Sequence, residues 1–274
     1  MNGTLYLCPT PIGNLEDITL RTLRILKEAD LIAAEDTRHS LKLLNHFDIK
    51  KPMISYFEHN KRERGEEILK HIRRGENVAL ITDAGTPAIS DPGEELVKQC
   101  IEENIDVFAL PGANAAITAL ISSGISTGRF SFQGFLSMNK TARREHLEEV
   151  KKHNETLIFY EAPHKLINTL NDMLRVFGDR QIALCRELTK TYEEKIRCTI
   201  SEALAHFETA APKGEFVIII SGANRTISDD FGNISLEALY QSYIEQGTDS
   251  KEALKTAAKN KGMSKRDAYA ALKI

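Results

Sequence analysis

A chain of 274 residues exceeds one ordinary domain and gives each of two domains enough length to bury a core of its own. Its 42% hydrophobic and 27% charged residues exclude a long disordered or low-complexity protein. A net charge of −3 excludes a uniformly positive surface, so contact with nucleic acid requires a local patch.

From the N-terminus, short β-rich runs alternate with helical patterns. Residues 4–8, 31–35, 53–57, 78–83 and 106–110 read as strands, and their nearly continuous apolar character suits burial on both faces of a largely parallel sheet. Amphipathic helices lie between them, one with Leu20, Leu23, Leu26 and Ala29 on a single face, another with Leu96, Val97, Cys100 and Ile101. A second series of strands at 130–135, 156–160, 181–186, 195–200 and 216–221 is more closely spaced between 181 and 200, which predicts a mixed sheet. The loop-like stretch 122–128 divides the two series. The expected organisation is α/β: a domain over 1–123, a second over 124–222, a linker over 223–234 rich in Gly, Asn, Asp and Ser, and a small helical appendix over 235–274. The appendix is broken at Gly247 and Gly262, with Ser250 and Ser264 placed as N-caps.

That appendix supplies the local patch. From residue 250 onward there are seven basic residues (Lys251, Lys255, Lys259, Lys261, Lys265, Arg266 and Lys273) against two acidic ones, Glu252 and Asp267. A solvated helical face and a nucleic-acid surface account for this pattern equally well. The four cysteines, Cys8, Cys100, Cys185 and Cys198, show no CxxC spacing and no nearby histidine pair, so they read as reduced, packed thiols and no metal site is expected. The N-terminus lacks a basic, then apolar, export signal, and no apolar run approaches a membrane span, so cytoplasmic placement without a membrane partner is expected.

No GxG and no GK[ST] occurs, which argues against a dinucleotide fingerprint, a glycine-rich methyltransferase first loop and a P-loop. Two Gly-Pro loops follow strands instead. In DAGTPAISDPG, residues 83–93, Gly85 permits a backbone turn closed to other residues, Pro87 and Pro92 stiffen the loop, and Thr86 and Ser90 offer hydroxyls. The same loop also reads as a helix start, with Asp91 as cap and Pro92 as the first helical residue. In LPGANA, residues 110–115, Gly112 and Ala113 leave the backbone bare for a ligand. Rigid loops beyond the carboxyl ends of strands are where α/β sheets take ligands.

These loops, with CPTPIGNLEDITLRTL at 8–23, AAEDTR at 33–38 and FYEAPH at 159–164, resemble the tetrapyrrole-methylase superfamily, and within it the branch that methylates small-subunit ribosomal RNA. The ordered motifs run to about residue 222, and the basic tail is similar to that branch's C-terminal extension. The resemblance implies two α/β domains with S-adenosylmethionine in the cleft between them, commonly in a homodimer, and 2′-O-methylation of a cytidine in the decoding region of 16S rRNA. It places cofactor contacts on Pro9, on the backbone of Asp83, Ala84, Gly85, Thr86, Pro87, Ala88 and Ile89, and on Gly112, Ala113, Asn114, Ala115 and Ala116. It adds Phe159, Tyr160 and Pro163.

Methyl transfer from a sulfonium is a direct displacement that asks the protein mainly for alignment. A ribose hydroxyl is a weak nucleophile, so a general base helps. Glu35, Asp36 and Arg38 follow a strand end, with Glu35 or Asp36 as the base and Arg38 as a phosphate grip; capping of the next helix by Asp36 or Thr37 is the competing explanation. Glu161 is an alternative base after another strand end, with His164 a secondary candidate. Arg21, Arg24, Arg38, Lys61, Arg62, Arg64, Arg143, Arg144 and Arg186 are available for RNA at a cationic cleft mouth. The competing functions are methylation of a porphyrin or corrin precursor on the same fold, and a non-catalytic RNA-binding assembly factor.

Overall fold

The computed structural model describes residues 2–223, 234–245 and 247–272. The greater part of the expected linker, 224–233, and Lys273 lie outside them. Two compact units are formed, one over 1–151 and 155–221, the other over 152–154 and 222–274.

In the first unit, five short parallel strands, β1 (Leu5–Leu7), β2 (Leu31–Ala34), β3 (Met53–Ser55), β4 (Val78–Ile81) and β5 (Val107–Ala109), form a sheet in the order β3-β2-β4-β1-β5. The helices between them are α1 (Leu20–Glu28), α2 (Thr37–His46), α3 (Lys61–Arg73) and α4 (Gly93–Glu102). Both faces are largely buried over β1 to β4, as the apolar runs require, while the edge strand β5 leaves Phe108 49% exposed. Leu5, Leu7, Leu31, Ala33, Val78 and Leu80 enter one core cluster, while Ile32, Ala34, Ala79 and Ile81 enter the cluster on the opposite face. The expected helix faces are narrower than the sequence suggests. Leu20 is 87% exposed and Ile101 63% exposed, because each sits at the margin of its apolar stripe, whereas Ile25 and Leu26, or Leu96 and Cys100, reach the sheet.

The second sheet is mixed, as its spacing predicts. It comprises β6 (Phe130–Phe135), β7 (Thr156–Glu161), β8 (Gln181–Arg186), β9 (Glu194–Thr199) and β10 (Phe216–Ile220), in the order β6-β7-β10-β8-β9. Only β6 and β7 run parallel; the other pairs are antiparallel. Strict alternation sorts its side chains. Leu157, Phe159, Leu184 and Ile218 face α6 (Lys140–Val150), α7 (Pro163–Phe177) and α8 (Ile200–Thr209). Ile158, Tyr160, Ala183, Cys185, Val217 and Ile219 face α5 (Ala115–Ser123). The helix α5, which precedes the 122–128 loop, therefore shares a core with the second sheet.

Two expected RNA-facing arginines have structural work instead. Arg143, nearly buried, donates through Nε and Nη2 to Asp172 Oδ2 at 2.9 and 2.6 Å, and Arg144 Nε donates to Asp172 Oδ1 at 2.7 Å. A carboxylate this enclosed needs both partners, and the two guanidiniums hold it below the ordinary aspartate value against the opposing effect of burial.

The second unit contains α9 (Leu236–Glu245), α10 (Ser250–Asn260) and α11 (Lys265–Leu272), packed on Leu254, Ala258 and Ala268. Asp249, not Ser250, caps α10 by accepting from the Lys251 amide at 3.0 Å, while Ser264 does accept from the Asp267 amide at the start of α11. Lys251, Lys255 and Lys259, at four-residue intervals, are all exposed on α10.

Candidate active site

The loops after β1, β2, β4 and β5 emerge at the carboxyl end of the parallel sheet, and together with β6, β7, β8, β10 and the segment after β8 they enclose a cleft of 440 Å³. All of it lies within the first unit.

The 83–93 loop forms its most structured wall. Gly85 has φ +85° and exchanges two backbone hydrogen bonds with Thr10, at 2.9 and 3.1 Å, so the loops after β4 and β1 move as one. Thr86 Oγ1 donates to the Ala113 carbonyl at 2.9 Å and thereby ties in the loop after β5. Ala88 and Ser90 also occupy positive φ, +67° and +64°, a cost that non-glycine residues bear only where surroundings dictate the backbone. Asp91 Oδ1 accepts from the Ala88 and Gly93 amides at 3.0 and 2.7 Å, so the carboxylate braces the loop as well as starting α4. Asp91 accepts from the amide two residues on, as a capping aspartate does, and Pro92 has helical torsions (φ −69°, ψ −4°) ahead of the hydrogen-bonded helix that runs from Gly93.

The opposite wall is partly apolar. Tyr160 projects between Phe132 and Phe135, with ring centroids 4.9 and 5.4 Å away, and its hydroxyl accepts from the Ala116 amide at 3.2 Å. Ile12, Leu188 and Val217 complete that surface. At the far side Glu187 Oε1 accepts from Lys190 Nζ and from the Glu215 amide, each at 3.0 Å. Glu187 and Thr189 have φ of +48° and +65°, a second strained loop on the same cleft.

The electrostatics run against the expected cationic mouth. Among the described residues, the lining carries six carboxylates, Glu35, Asp83, Asp91, Glu161, Glu187 and Glu215, and one ammonium, Lys190. Burial, and then the adjacent Glu35 charge, push the Asp83 carboxyl above the ordinary aspartate value; burial raises Asp91 in the same direction. Lys190 loses solvation, but its hydrogen bond to Glu187 and the charges of Glu215 and Glu187 more than offset this and hold the ammonium above the usual lysine value. Most of the arginines and lysines expected at the mouth are paired with acids: Arg24 with Glu28, Arg38 with Asp36, Lys61 with Glu58, Arg64 with Glu67, Arg143 and Arg144 with Asp172, and Arg186 with Glu194.

Of the residues implied as cofactor contacts, Asp83, Ala84, Gly85, Thr86, Ile89, Asn114, Ala115 and Tyr160 line the cleft. Pro9, Pro87, Ala88, Gly112, Ala113, Ala116 and Pro163 are not on the lining; Ala116 and Pro163 lie in the first turns of α5 and α7. Phe159 does not face it: adjacent residues of a strand point to opposite faces, and with Tyr160 in the cleft Phe159 is fully buried beneath α6 and α7. Of the acid–base candidates, only Glu35 and Glu161 reach the lining. Glu161 is 2% exposed with both oxygens engaged, Oε1 by the Ala162 amide at 2.9 Å and Oε2 by Thr169 Oγ1 at 2.6 Å, which makes it a brace for the start of α7. Asp36 caps α2, accepting from the Arg38 amide at 2.8 Å, and Arg38, its side chain 91% exposed, folds back onto Asp36. His164, in the first turn of α7, is not on the lining either. Glu35 differs: Oε2 accepts from Thr82 Oγ1 at 2.7 Å, and no hydrogen bond reaches Oε1 among the described residues.

Phe135, Glu187, Leu188, Lys190 and Glu215 escaped the sequence reading. The rule that ligands sit beyond parallel strand ends does not extend to the antiparallel part of the second sheet, where most of these residues lie. The usable signal is a pair of polar strand-end clusters, RELTK at 186–190 and KGEF at 213–216.

A parallel sheet and a mixed one, with strand-end loops from both meeting over one cleft, define a two-sheet α/β enzyme fold. The sequence matches the Tetrapyrrole (Corrin/Porphyrin) Methylases over residues 4–204, and the chain belongs to that methyltransferase family. Similar proteins include one named Ribosomal RNA small subunit methyltransferase I from Halalkalibacterium halodurans, 52% identical with 97% of this chain and 93% of that one covered. The protein of the same name from Bacillus subtilis is 48% identical, with 99% and 94% covered. Among solved structures, uroporphyrin-III C-methyltransferase from Thermus thermophilus in complex with S-adenosyl homocysteine has the same fold, with TM-score 0.58, 20% identity, and 79% of this chain and 97% of that one covered.

Proposed function

We propose that this chain is an S-adenosylmethionine-dependent methyltransferase acting in the cytoplasm, as a homodimer, on the 2′-hydroxyl of a cytidine in the decoding region of 16S rRNA. The observation that carries the reading is the acid-rich cleft at the strand ends. Six carboxylates suit a sulfonium cation and an uncharged hydroxyl acceptor, and they repel the polycarboxylate precursors of porphyrins and corrins. The names of the relatives at 52% and 48% identity support the ribosomal acceptor. The exposed lysines of α10 support a phosphate contact outside the cleft, Lys255 there being shared with Glu252 at 3.0 Å.

The residues present fit the cofactor. Ile12, Tyr160, Leu188 and Val217 offer apolar surface for a nucleoside, while Glu35 and Asp83 offer charge for the cationic part. When bound, S-adenosylmethionine supplies an activated methyl group and a neutral sulfur leaving group. The Thr10–Gly85 and Thr86–Ala113 ties hold the loop walls in one geometry, so alignment is set before substrate arrives. The Glu35 carboxylate, steadied at Oε2 by Thr82, takes the proton of the acceptor hydroxyl at Oε1 as the oxygen–carbon bond forms.

Incubation with tritiated S-adenosylmethionine and either small ribosomal subunits lacking the modification or a uroporphyrinogen-type acceptor tests the assignment. Label is expected in the RNA, at a ribose; label only in the tetrapyrrole overturns it. Acidity gives a further expected result. Because Asp83 and Asp91 protonate at higher pH than ordinary aspartates, the cleft loses negative charge early as pH falls. The affinity for S-adenosylmethionine therefore drops more steeply than that for S-adenosylhomocysteine, which lacks the sulfonium charge, as pH falls, and the drop begins above the range in which ordinary aspartates protonate. Calorimetric titration of both ligands reads the difference, and parallel pH curves argue against electrostatic selection of the sulfonium.

A further inference from the structure

Along β6 the pairing with β7 slips. Ser131 and Phe132 pair with Leu157 and Ile158, but the next pairs are Gly134 with Phe159 and Phe135 with Tyr160, leaving Gln133 as an extra residue. Gly134 has φ +65°, the left-handed geometry that a bulge of this type needs. Gln133 is held on the other side, its Oε1 3.0 Å from His146 Nε2 of α6 and its amide donating to Ser131 Oγ at 2.6 Å. Without the extra residue, Phe135 would fall on the Phe159 face and enter the core. With it, Phe135 lies on the Tyr160 face, lines the cleft and stays 55% exposed. The bulge, with a glycine free to take positive φ, thus brings a large apolar ring out of the core, where burial would stabilise it.

From this geometry we infer that Phe135 is the stacking platform for an unpaired nucleobase of the acceptor RNA, positioning the nucleotide whose ribose meets Glu35. The inference rests on the RNA reading above. The ring is braced edge-on by Tyr160, with the ring planes at 63°, so it presents a fixed face rather than a mobile one. The acid-rich lining excludes phosphates, which leaves base and ribose as the part of a nucleotide that enters. An aromatic face accepts any base by stacking and asks for no hydrogen-bond code.

The chain contains no tryptophan, so Phe135→Trp introduces one indole at the site, which can be excited apart from the seven tyrosines. Its fluorescence is expected to be quenched by under-methylated small subunits and to change little with S-adenosylmethionine alone. Phe135→Leu, which keeps apolar volume but removes the π-face, is expected to raise the KM for the subunits by about 5- to 100-fold while kcat changes less, with Phe135→Tyr close to wild type. Cofactor affinity by calorimetry stays within about twofold throughout, which also reports that each variant is folded. Wild-type KM in Phe135→Leu, or no quenching of the introduced indole's emission by subunits, overturns the inference. So does a loss confined to cofactor affinity, which would place Phe135 in the cofactor pocket. Failure of the wild-type chain to label ribosomal RNA defeats the RNA reading itself and is read separately from the variants.

Discussion

Glu35→Gln is expected to lower kcat for methyl transfer by about 10²- to 10⁴-fold and, because it also removes a charge facing the sulfonium, to weaken S-adenosylmethionine binding more than S-adenosylhomocysteine binding. Three features of the structure lead there. Glu35 follows β2 at the carboxyl end of the parallel sheet, its side chain lines the cleft, and Thr82 Oγ1 fixes one oxygen at 2.7 Å while the other is left for substrate. Glutamine preserves length and its carbonyl oxygen can still accept from Thr82, so packing is kept while proton acceptance and the negative charge are lost. Single-turnover kinetics with saturating subunits gives the chemical step directly. Asp36→Asn provides the contrast: asparagine caps helices as well as aspartate, and Asp36 lies outside the lining, so near-normal kcat is expected. An unchanged rate in Glu35→Gln would mean that another group takes the proton.

Gly85→Val is expected to weaken S-adenosylmethionine binding by roughly 10- to 100-fold, the equivalent of about 1.4–2.8 kcal/mol. At φ +85° a β-branched residue is strained wherever its side chain goes, and a Cβ there stands 3.3 Å from Ile12 Cγ2 and 3.6 Å from the Ala113 carbonyl. The backbone must therefore shift at the point where it exchanges two hydrogen bonds with Thr10. That shift displaces the 83–86 backbone from the cleft and loosens the loop after β1 with it. Gly85→Ala, with the same φ penalty but no branch, should fall between the wild type and valine. Calorimetry checks the affinities, and a thermal melt separates local loop damage from global unfolding. Valine binding the cofactor as tightly as glycine would show that the loop's geometry is not what the ligand reads.

The acidic character of the cleft is the feature least legible in the chain. Read in sequence order, the basic residues near the motifs suggest a cationic mouth, yet Arg143 and Arg144 are consumed by Asp172, and Arg186 lies beside Glu194. A charge in a sequence carries no record of which opposite charge the fold places next to it. The acids show the converse. Glu187 and Glu215 are 28 residues apart and unremarkable singly, but the β8–β10 pairing puts the Glu187 carboxylate on the Glu215 amide and both on the cleft.

Much of the architecture was nonetheless written in the residues. Apolar runs of strand length separated by helical periodicity specified a buried parallel sheet followed by a mixed one, because burial on two faces demands that pattern and little else satisfies it. The Gly-Pro loop at 83–93 was legible as a rigid turn beyond a strand end, which the structure places on the cleft wall, because the freedom of glycine to take positive φ and the fixed torsion of proline are properties of the residues themselves. Orientation and partnership, by contrast, were settled by the three-dimensional packing. FYEAPH as a string cannot say that Tyr160 faces the cleft while Phe159 is core; the sheet face that α6 and α7 cover settles it. Among Glu35, Asp36 and Glu161 the residue type is nearly the same, and the difference lies in which carboxylate the caps and threonines have already claimed. Phe135 reaches the cleft only through a one-residue slip between β6 and β7, and register is a property of two strands, written in neither alone.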